Sequence, residues 1–117
     1  MSEVNQREIT QRITEMEDEI KKQQVLADAA DQAVALNKHH DFRKLILEGF
    51  CLHEAARYAQ ESGDPFLTPG QRQDALNMAQ ASGHLKRYLS ITIQMGNMAD
   101  STIAGCKAEL ESLRGEA

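Results

Sequence analysis

The stretch that decides the fold is Thr68-Pro69-Gly70-Gln71 and the proline-free run that follows it as far as Leu113. Thr68 is suited to cap a helix, Pro69 to occupy its first position, and Gln71 to complete a capping box. Beyond this start, apolar or small residues recur in alternating steps of four and three: Leu85, Leu89, Thr92, Gly96, Ala99, Ile103, Cys106, Leu110 and Leu113. This heptad seam predicts one long helix over residues 69–113 that packs along another helix.

A second seam of the same kind lies near the N-terminus and predicts a helix over residues 4–37. Its members again step by four and three: Ile9, Ile13, Met16, Ile20, Gln23, Ala27, Ala30 and Val34. The polar Gln23 interrupts the apolar row, and such a residue in a seam can set the register between two helices. The other faces are charged, so this helix requires an apolar partner for stability.

Between the two seams lies the most apolar part of the chain, which predicts a helix over residues 42–61. The polar run from Asn37 to Asp41 separates it from the first helix, and Asp41 is a suitable N-cap. An alternative is a backbone that continues through this run with only a kink. Since apolar residues point to more than one face of this helix, we expect it to have more than one packing partner.

The segment with the strongest helix breakers is residues 62–68, where Gly63 and Pro65 end the second helix. If the chain reverses here, the last helix runs antiparallel to the first, and Ile9 falls near Leu113. We therefore predict an all-α fold: a long antiparallel, coiled-coil-like helical hairpin in a single domain, with its first arm broken near residues 37–41. The alternative is a three-helix bundle in which the second helix folds back.

Length and charge exclude several classes of function. A chain of 117 residues is one domain at most, and its net charge of −5 opposes binding to nucleic acid or to an anionic membrane. Cys51 and Cys106 are far apart and lack metal-binding spacing, so we interpret them as buried free thiols of a protein in the cytoplasm, or of one assembled from the cytoplasm into a larger particle.

The residues with catalytic or metal-binding chemistry form no motif. His39, His40 and Asp41 are followed at a distance by His53, but neighbouring helical histidines point apart and no histidine pair has i, i+4 spacing. Cys51 lies among apolar residues, which is the setting of an inert thiol. We therefore predict no enzyme activity, no metal and no cofactor.

More apolar surface is present than a two-helix hairpin can bury, which favours protein partners. The predicted helix seam comprises Ile9, Ile13, Met16, Ile20, Val34, Leu85, Leu89, Ile103, Leu110 and Leu113. The predicted interaction face comprises Phe42, Leu45, Ile46, Leu47, Phe50, Leu52, Tyr58, Phe66 and Leu67. We expect this face to contact further copies of the chain, other subunits of an assembly, or both.

Four stretches resemble small helical proteins of tailed bacteriophages: residues 42–50, 54–57, 85–89 and 94–99. The resemblance covers roughly residues 40–113. It implies a structural or head-assembly role in a virion, and it brings no catalytic residues with it. The alternative is a phage-encoded inhibitor of a host or defence factor, or a protein that sequesters a ligand.

Overall fold

The computed structural model describes residues 3–116, with side chains from residue 5 to residue 115. Helix α1 spans Glu3–Lys38. It is followed by α2 (His40–Phe42), a π-helix (Arg43–Glu54) and α3 (Ala55–Ser62), which are called together the middle helix. Helix α4 spans Pro69–Glu116. The predicted all-α class is confirmed, and each helix begins and ends within one turn of the predicted residue.

The first arm is broken at His39, where the backbone is extended at φ −71° and ψ 125°. The Phe42 N–H donates to Nδ1 of His39 over 3.5 Å, so His39 is the N-cap of the next helix. The predicted break is confirmed, whereas the prediction that Asp41 is the N-cap was wrong. Asp41 already lies inside the first turn, where its negative charge is close to the positive end of the helix dipole.

The middle helix is continuous although its hydrogen-bonding pattern changes twice. Phe42 and Glu54, which flank the two junctions, have helical φ and ψ values of −63° and −44°, and of −67° and −39°. Twelve residues of π-helix are unusual, because π-helices occur mostly as single turns inside α-helices. The sequence predicts a helix here but not its π-type hydrogen bonding.

A tight turn over residues 63–68 joins the middle helix to α4. The Thr68 N–H donates to Oε1 of Gln71 over 3.0 Å, and the Gln71 N–H donates to Oγ1 of Thr68 over 3.1 Å. These two bonds are the predicted capping box, which is thereby confirmed.

The chain forms two compact units, of which the first combines residues 1–32 with residues 92–117. In this unit α1 and α4 pack antiparallel, as the hairpin prediction requires. Met16 packs with Cys106 and Leu110, and further along α1, Ala27 packs with Ala99 and Ile103. Arg12 pairs with Glu109 at 2.9 Å and Arg114 with Glu17 at 3.0 Å, which brackets the first cluster.

The contacts of Gly96 with Ala30 and Leu26 set the register of this pair. Near the end of the seam, Leu113 and Ile13 both pack against the cluster of Met16, Cys106 and Leu110. That Ile9 lies near Leu113 stays a prediction.

The second unit consists of residues 33–91, from the end of α1 to the middle of α4. Its buried residues are mostly small: Ala33, Cys51, Ala75, Ser82 and Leu89. The Cys51 thiol donates to the carbonyl oxygen of Ser82 over 3.8 Å, so the middle helix lies close to α4 at this point. Small side chains on α4, among them Ala75 and Ser82, permit this close approach.

Candidate protein-interaction surface

The residues of the predicted interaction face all lie in the second unit, and the structure divides them into two groups. Leu45, Leu52 and Phe66 are exposed, with 72%, 59% and 96% of their surface accessible. The other members are half-buried: Phe42, Ile46, Leu47, Phe50, Tyr58 and Leu67. The prediction places all of them on one face, but only part of that face is accessible to a partner.

The π-helix explains this division. Its i→i+5 hydrogen bonds widen each turn, so that side chains four to five residues apart lie over one another. Phe42, Ile46, Leu47 and Cys51 follow this spacing and are buried or half-buried. In an α-helix Phe42 and Ile46 would point away from Cys51. The wider turn therefore brings Phe42 and Ile46 onto the same face as the buried Cys51.

A strip of apolar and acidic residues remains partly accessible along the middle helix. It runs from Leu45 through Phe50 and Glu54 with steps of five and four, as a π-helix requires, and it continues on α3 with Tyr58 and Glu61. Leu45 is exposed and the other members are half-buried. The strip thus ends at the turn that carries Phe66.

The turn presents Phe66 to solvent by means of its own hydrogen bonds. The Phe66 N–H donates to a carboxylate oxygen of Asp64 over 2.9 Å, and the Leu67 N–H donates to the Asp64 carbonyl over 3.2 Å. These bonds define the backbone around an aromatic ring that contacts almost nothing. A large exposed side chain on a well-defined turn is typical of a contact residue in an interface.

A pocket of about 280 Å³ opens beside this turn, between α3 and the start of α4. The chain lines it with apolar and acidic side chains: Tyr58, Glu61, Leu67, Gln71, Asp74, Ala75 and Met78. The predicted interaction face includes Tyr58 and Leu67 but none of the pocket residues that α4 contributes. Asp74 and Met78 are four residues apart, one turn of the predicted helix, and that helix begins directly after the predicted chain reversal. This spacing is the sequence signal that could have placed both residues at the predicted interaction face.

The charges around this pocket are arranged by Arg57. Its guanidinium pairs with Glu54 and Glu61, the latter at 2.6 Å, and lies 4.4 Å from the centre of the Tyr58 ring. The hydrogen bond with Glu54 raises the pKa of Arg57 above its ordinary value. Arg57 therefore stays charged at any physiological pH. It forms an ion pair with Glu61, which lines the pocket, but Arg57 is not itself a lining residue.

Exposed apolar residues also occur on α4 outside the predicted face. Tyr88 and Ile91 belong to the second unit, and Met95 and Met98 to the first. Tyr88 and Met98 are the most exposed of the four, at 68% and 59%. Along the sequence they step by three and four, one residue out of phase with the buried seam, so the periodicity could have revealed them.

The side chains considered for catalysis do not come together. His39 acts as a helix cap, His53 is exposed, and Cys51 is buried. Within residues 3–116 no three His, Cys, Asp or Glu side chains form a group that could hold a metal ion.

A smaller cavity of about 170 Å³ is lined by Asn37, Leu47, Lys86, Leu89 and Ser90. The buried Oδ1 of Asn37 has no hydrogen-bond partner among the described residues.

The described helices include none with an apolar stretch sufficient to cross a membrane. Comparison with known proteins found no matching protein family, no matching curated protein and no matching solved structure. The resemblance to small helical phage proteins therefore stays a prediction.

Proposed function

We propose that this chain is a non-enzymatic interaction protein that assembles with copies of itself through the second unit. The observation that supports the proposal is the combination of Phe66, Leu45 and Leu52, three large apolar side chains exposed on one small unit. Exposure of such side chains is unfavourable by about 25 cal/mol for each Å² of apolar surface. Contact with another protein removes that cost.

The finer proposal is a structural or head-assembly component of a bacteriophage virion, present in the cytoplasm of the host cell before its incorporation. It is supported by the resemblance of residues 40–113 to small phage proteins and by a helical fold with accessible apolar residues. A component of a virion co-purifies with assembled particles at a constant ratio. Its absence from purified particles contradicts this part of the proposal.

The experiment for the general proposal is light scattering coupled to size-exclusion chromatography at two protein concentrations. We expect a defined oligomer that the double substitution Leu45→Ser and Leu52→Ser dissociates. The matched control is Val25→Ser, because Val25 is similarly exposed at 68% but belongs to the first unit. A monodisperse wild-type monomer that binds no apolar dye would refute the proposal.

A second candidate is a protein that inhibits a host or defence factor by binding it. The pocket between α3 and α4 favours this candidate, because a concave site beside the exposed Phe66 suits a specific partner. An inhibitor acts as free protein and is absent from particles. Location in the infected cell thus separates the two candidates.

A further inference from the structure

The pocket between α3 and α4 has the size of a site for an aromatic ring. Its volume is about 280 Å³. A cavity of about 150 Å³ already accommodates a benzene molecule, and small-molecule sites usually measure roughly 300–1,000 Å³. The apolar wall consists of Leu67, Ala75, Met78 and the ring of Tyr58. Since an aromatic ring packs favourably against a second ring and against the sulfur of methionine, a single aromatic side chain fits this pocket in size and in chemistry.

The side chain next to the pocket in sequence has this chemistry but does not enter it. Phe66 directly precedes Leu67, which lines the pocket, yet the Phe66 ring is 96% exposed and is not one of the lining side chains. The turn holds this arrangement, because the N–H groups of Phe66 and Leu67 both donate to Asp64. A ring that is held away from the pocket of its own chain is available to the pocket of another copy.

The closeness of ring and pocket suits a two-fold symmetric pair of copies. In such a pair both chains present the same surface, so a contact of one residue with another is matched by the reciprocal contact. Since Phe66 and Leu67 are consecutive, one two-fold axis beside the turn lets each ring reach the pocket of the other copy. The two contacts form together and close the assembly at two copies, whereas a ring and a pocket on distant faces would build an open chain.

The distribution of charge also favours a second copy at this position. The second unit, residues 33–91, carries seven basic and six acidic residues, so two such units have almost no net repulsion. The acidic excess of the chain lies in the first unit, which carries 12 acidic and six basic residues. Contact between two first units would bring like charges together, and contact between two second units does not.

We infer that two copies form a two-fold dimer in which Phe66 of each copy fills the pocket between α3 and α4 of the other. The inference rests on the proposed function, to which it adds the contact residue, the site that receives it and a stoichiometry of two. The ring becomes buried against Tyr58 and Met78, as is typical of the anchor residue of an interface. Gln71 and Asp74 are exposed, so their polar groups can stay hydrated while the ring lies against the apolar wall.

A fluorescent probe at the proposed contact tests this directly. The chain contains no tryptophan, so Phe66→Trp introduces a single one. We expect short-wavelength emission where light scattering shows a dimer, and long-wavelength emission after dilution to the monomer, because the ring then leaves the pocket for water. Val25→Trp is the matched control, since Val25 is 68% exposed in the first unit and its probe should emit at long wavelength at every concentration. Long-wavelength emission from Phe66→Trp in the dimer overturns the inference.

Removal of the ring is an independent test. Phe66→Ala should raise the dissociation constant of the dimer at least about 100-fold, about tenfold for each of the two contacts. Met78→Trp, which fills the pocket from within its own chain, should cause a similar loss. An equimolar mixture of the two variants should dimerise more tightly than either alone, because Phe66 of the Met78→Trp copy enters the vacant pocket of the Phe66→Ala copy. Met98→Ala, which truncates an exposed side chain of the first unit, should leave the dimer intact.

The oligomeric state of these variants distinguishes a failure of this inference from a failure of the proposed function. Circular dichroism verifies that every variant keeps its helices. An oligomer that dissociates with Leu45→Ser and Leu52→Ser but persists with Phe66→Ala overturns the inference and leaves the proposed function standing. A mixture of Phe66→Ala and Met78→Trp that associates no better than either variant alone also overturns only the inference. A wild-type protein that is monomeric at all concentrations overturns both.

Discussion

Gly96 of α4 lies directly against Ala30 of α1 in the first unit. A Cβ atom added at Gly96 would overlap the Ala30 Cβ and lie 3.1 Å from the carbonyl oxygen of Leu26. Since Ala30 has no rotatable side chain, neither group can move without a shift of a helix backbone. This contact fixes how closely, and in which register, the two helices of the unit pack.

We therefore expect Gly96→Ala to destabilise the protein, although alanine is the better helix former. Overpacking at a close contact costs about 1–3 kcal/mol, which exceeds the gain of about 1 kcal/mol from helix propensity. Urea unfolding followed by circular dichroism measures the difference.

Gly105→Ala is the control for this substitution, because it lies on the same helix and a Cβ atom there meets nothing within 4 Å. We expect it to stabilise the protein by about 0.5–1 kcal/mol. Equal effects of the two substitutions would contradict the close contact at Gly96.

The π-helix predicts different effects of truncating two neighbouring residues. Ile46 packs inside the second unit whereas Leu45 is mostly exposed, so Ile46→Ala should cost roughly 2 kcal/mol and Leu45→Ala less than about 0.5 kcal/mol. Thermal unfolding at low protein concentration, where an oligomer dissociates, measures both. Similar losses for both would indicate that the segment is an α-helix with Leu45 and Ile46 on one packed face.

The capping box at the start of α4 should contribute measurably to stability. Thr68→Ala removes the hydroxyl that accepts the Gln71 N–H, and we expect a loss of about 1 kcal/mol in the free energy of unfolding. Thr102→Ala removes an exposed hydroxyl from the interior of the same helix, where it donates to the Met98 carbonyl over 3.2 Å, and should not destabilise. Both variants can be compared by chemical denaturation. No loss at Thr68 would mean that the box is not formed.

The two cysteines should react slowly in the folded protein. Cys51 is buried in the second unit and Cys106 in the first. Reaction with a thiol reagent that yields a coloured product should be slow for both in buffer and complete within minutes in denaturant, because access limits the rate. Substitution of either cysteine by alanine assigns the two phases. Fast reaction of one thiol in buffer would show that its unit opens readily.

A charge exchange tests the antiparallel pairing of the first unit. The hydrogen bond with Glu109 raises the pKa of Arg12 above its ordinary value. The contribution of the Arg12–Glu109 pair to stability is therefore complete at neutral pH. It would be lost only as the pH rises through the elevated pKa of Arg12, far above the physiological range. Arg12→Glu should lower the melting temperature, and addition of Glu109→Arg should restore part of it. The recovery should shrink in high salt, because both side chains are exposed. No recovery would contradict the pairing.

Several features of this fold follow from the sequence because they depend on local chemistry. The capping box at Thr68 and Gln71 involves residues three apart, and the reversal at residues 63–68 depends on helix breakers that act on their own backbone. The two seams are likewise visible as alternating steps of four and three, and each predicts a helix with a partner. These features sufficed for the all-α class, for the break before the middle helix and for the antiparallel pair.

Other features were decided only in the tertiary structure, since they depend on which side chains meet across helices. The register of α1 and α4 follows from the contact of Gly96 with Ala30, and periodicity alone allows a shift of one turn. The π-helix changes which residues of the middle helix share a face, and no local signal in Arg43–Glu54 indicated it. The pocket combines residues from α3, the turn and α4. Glu61 and Asp74 line the same pocket only because the turn brings α3 and α4 together. The two residues are 13 positions apart, and that spacing alone does not predict that they lie close together.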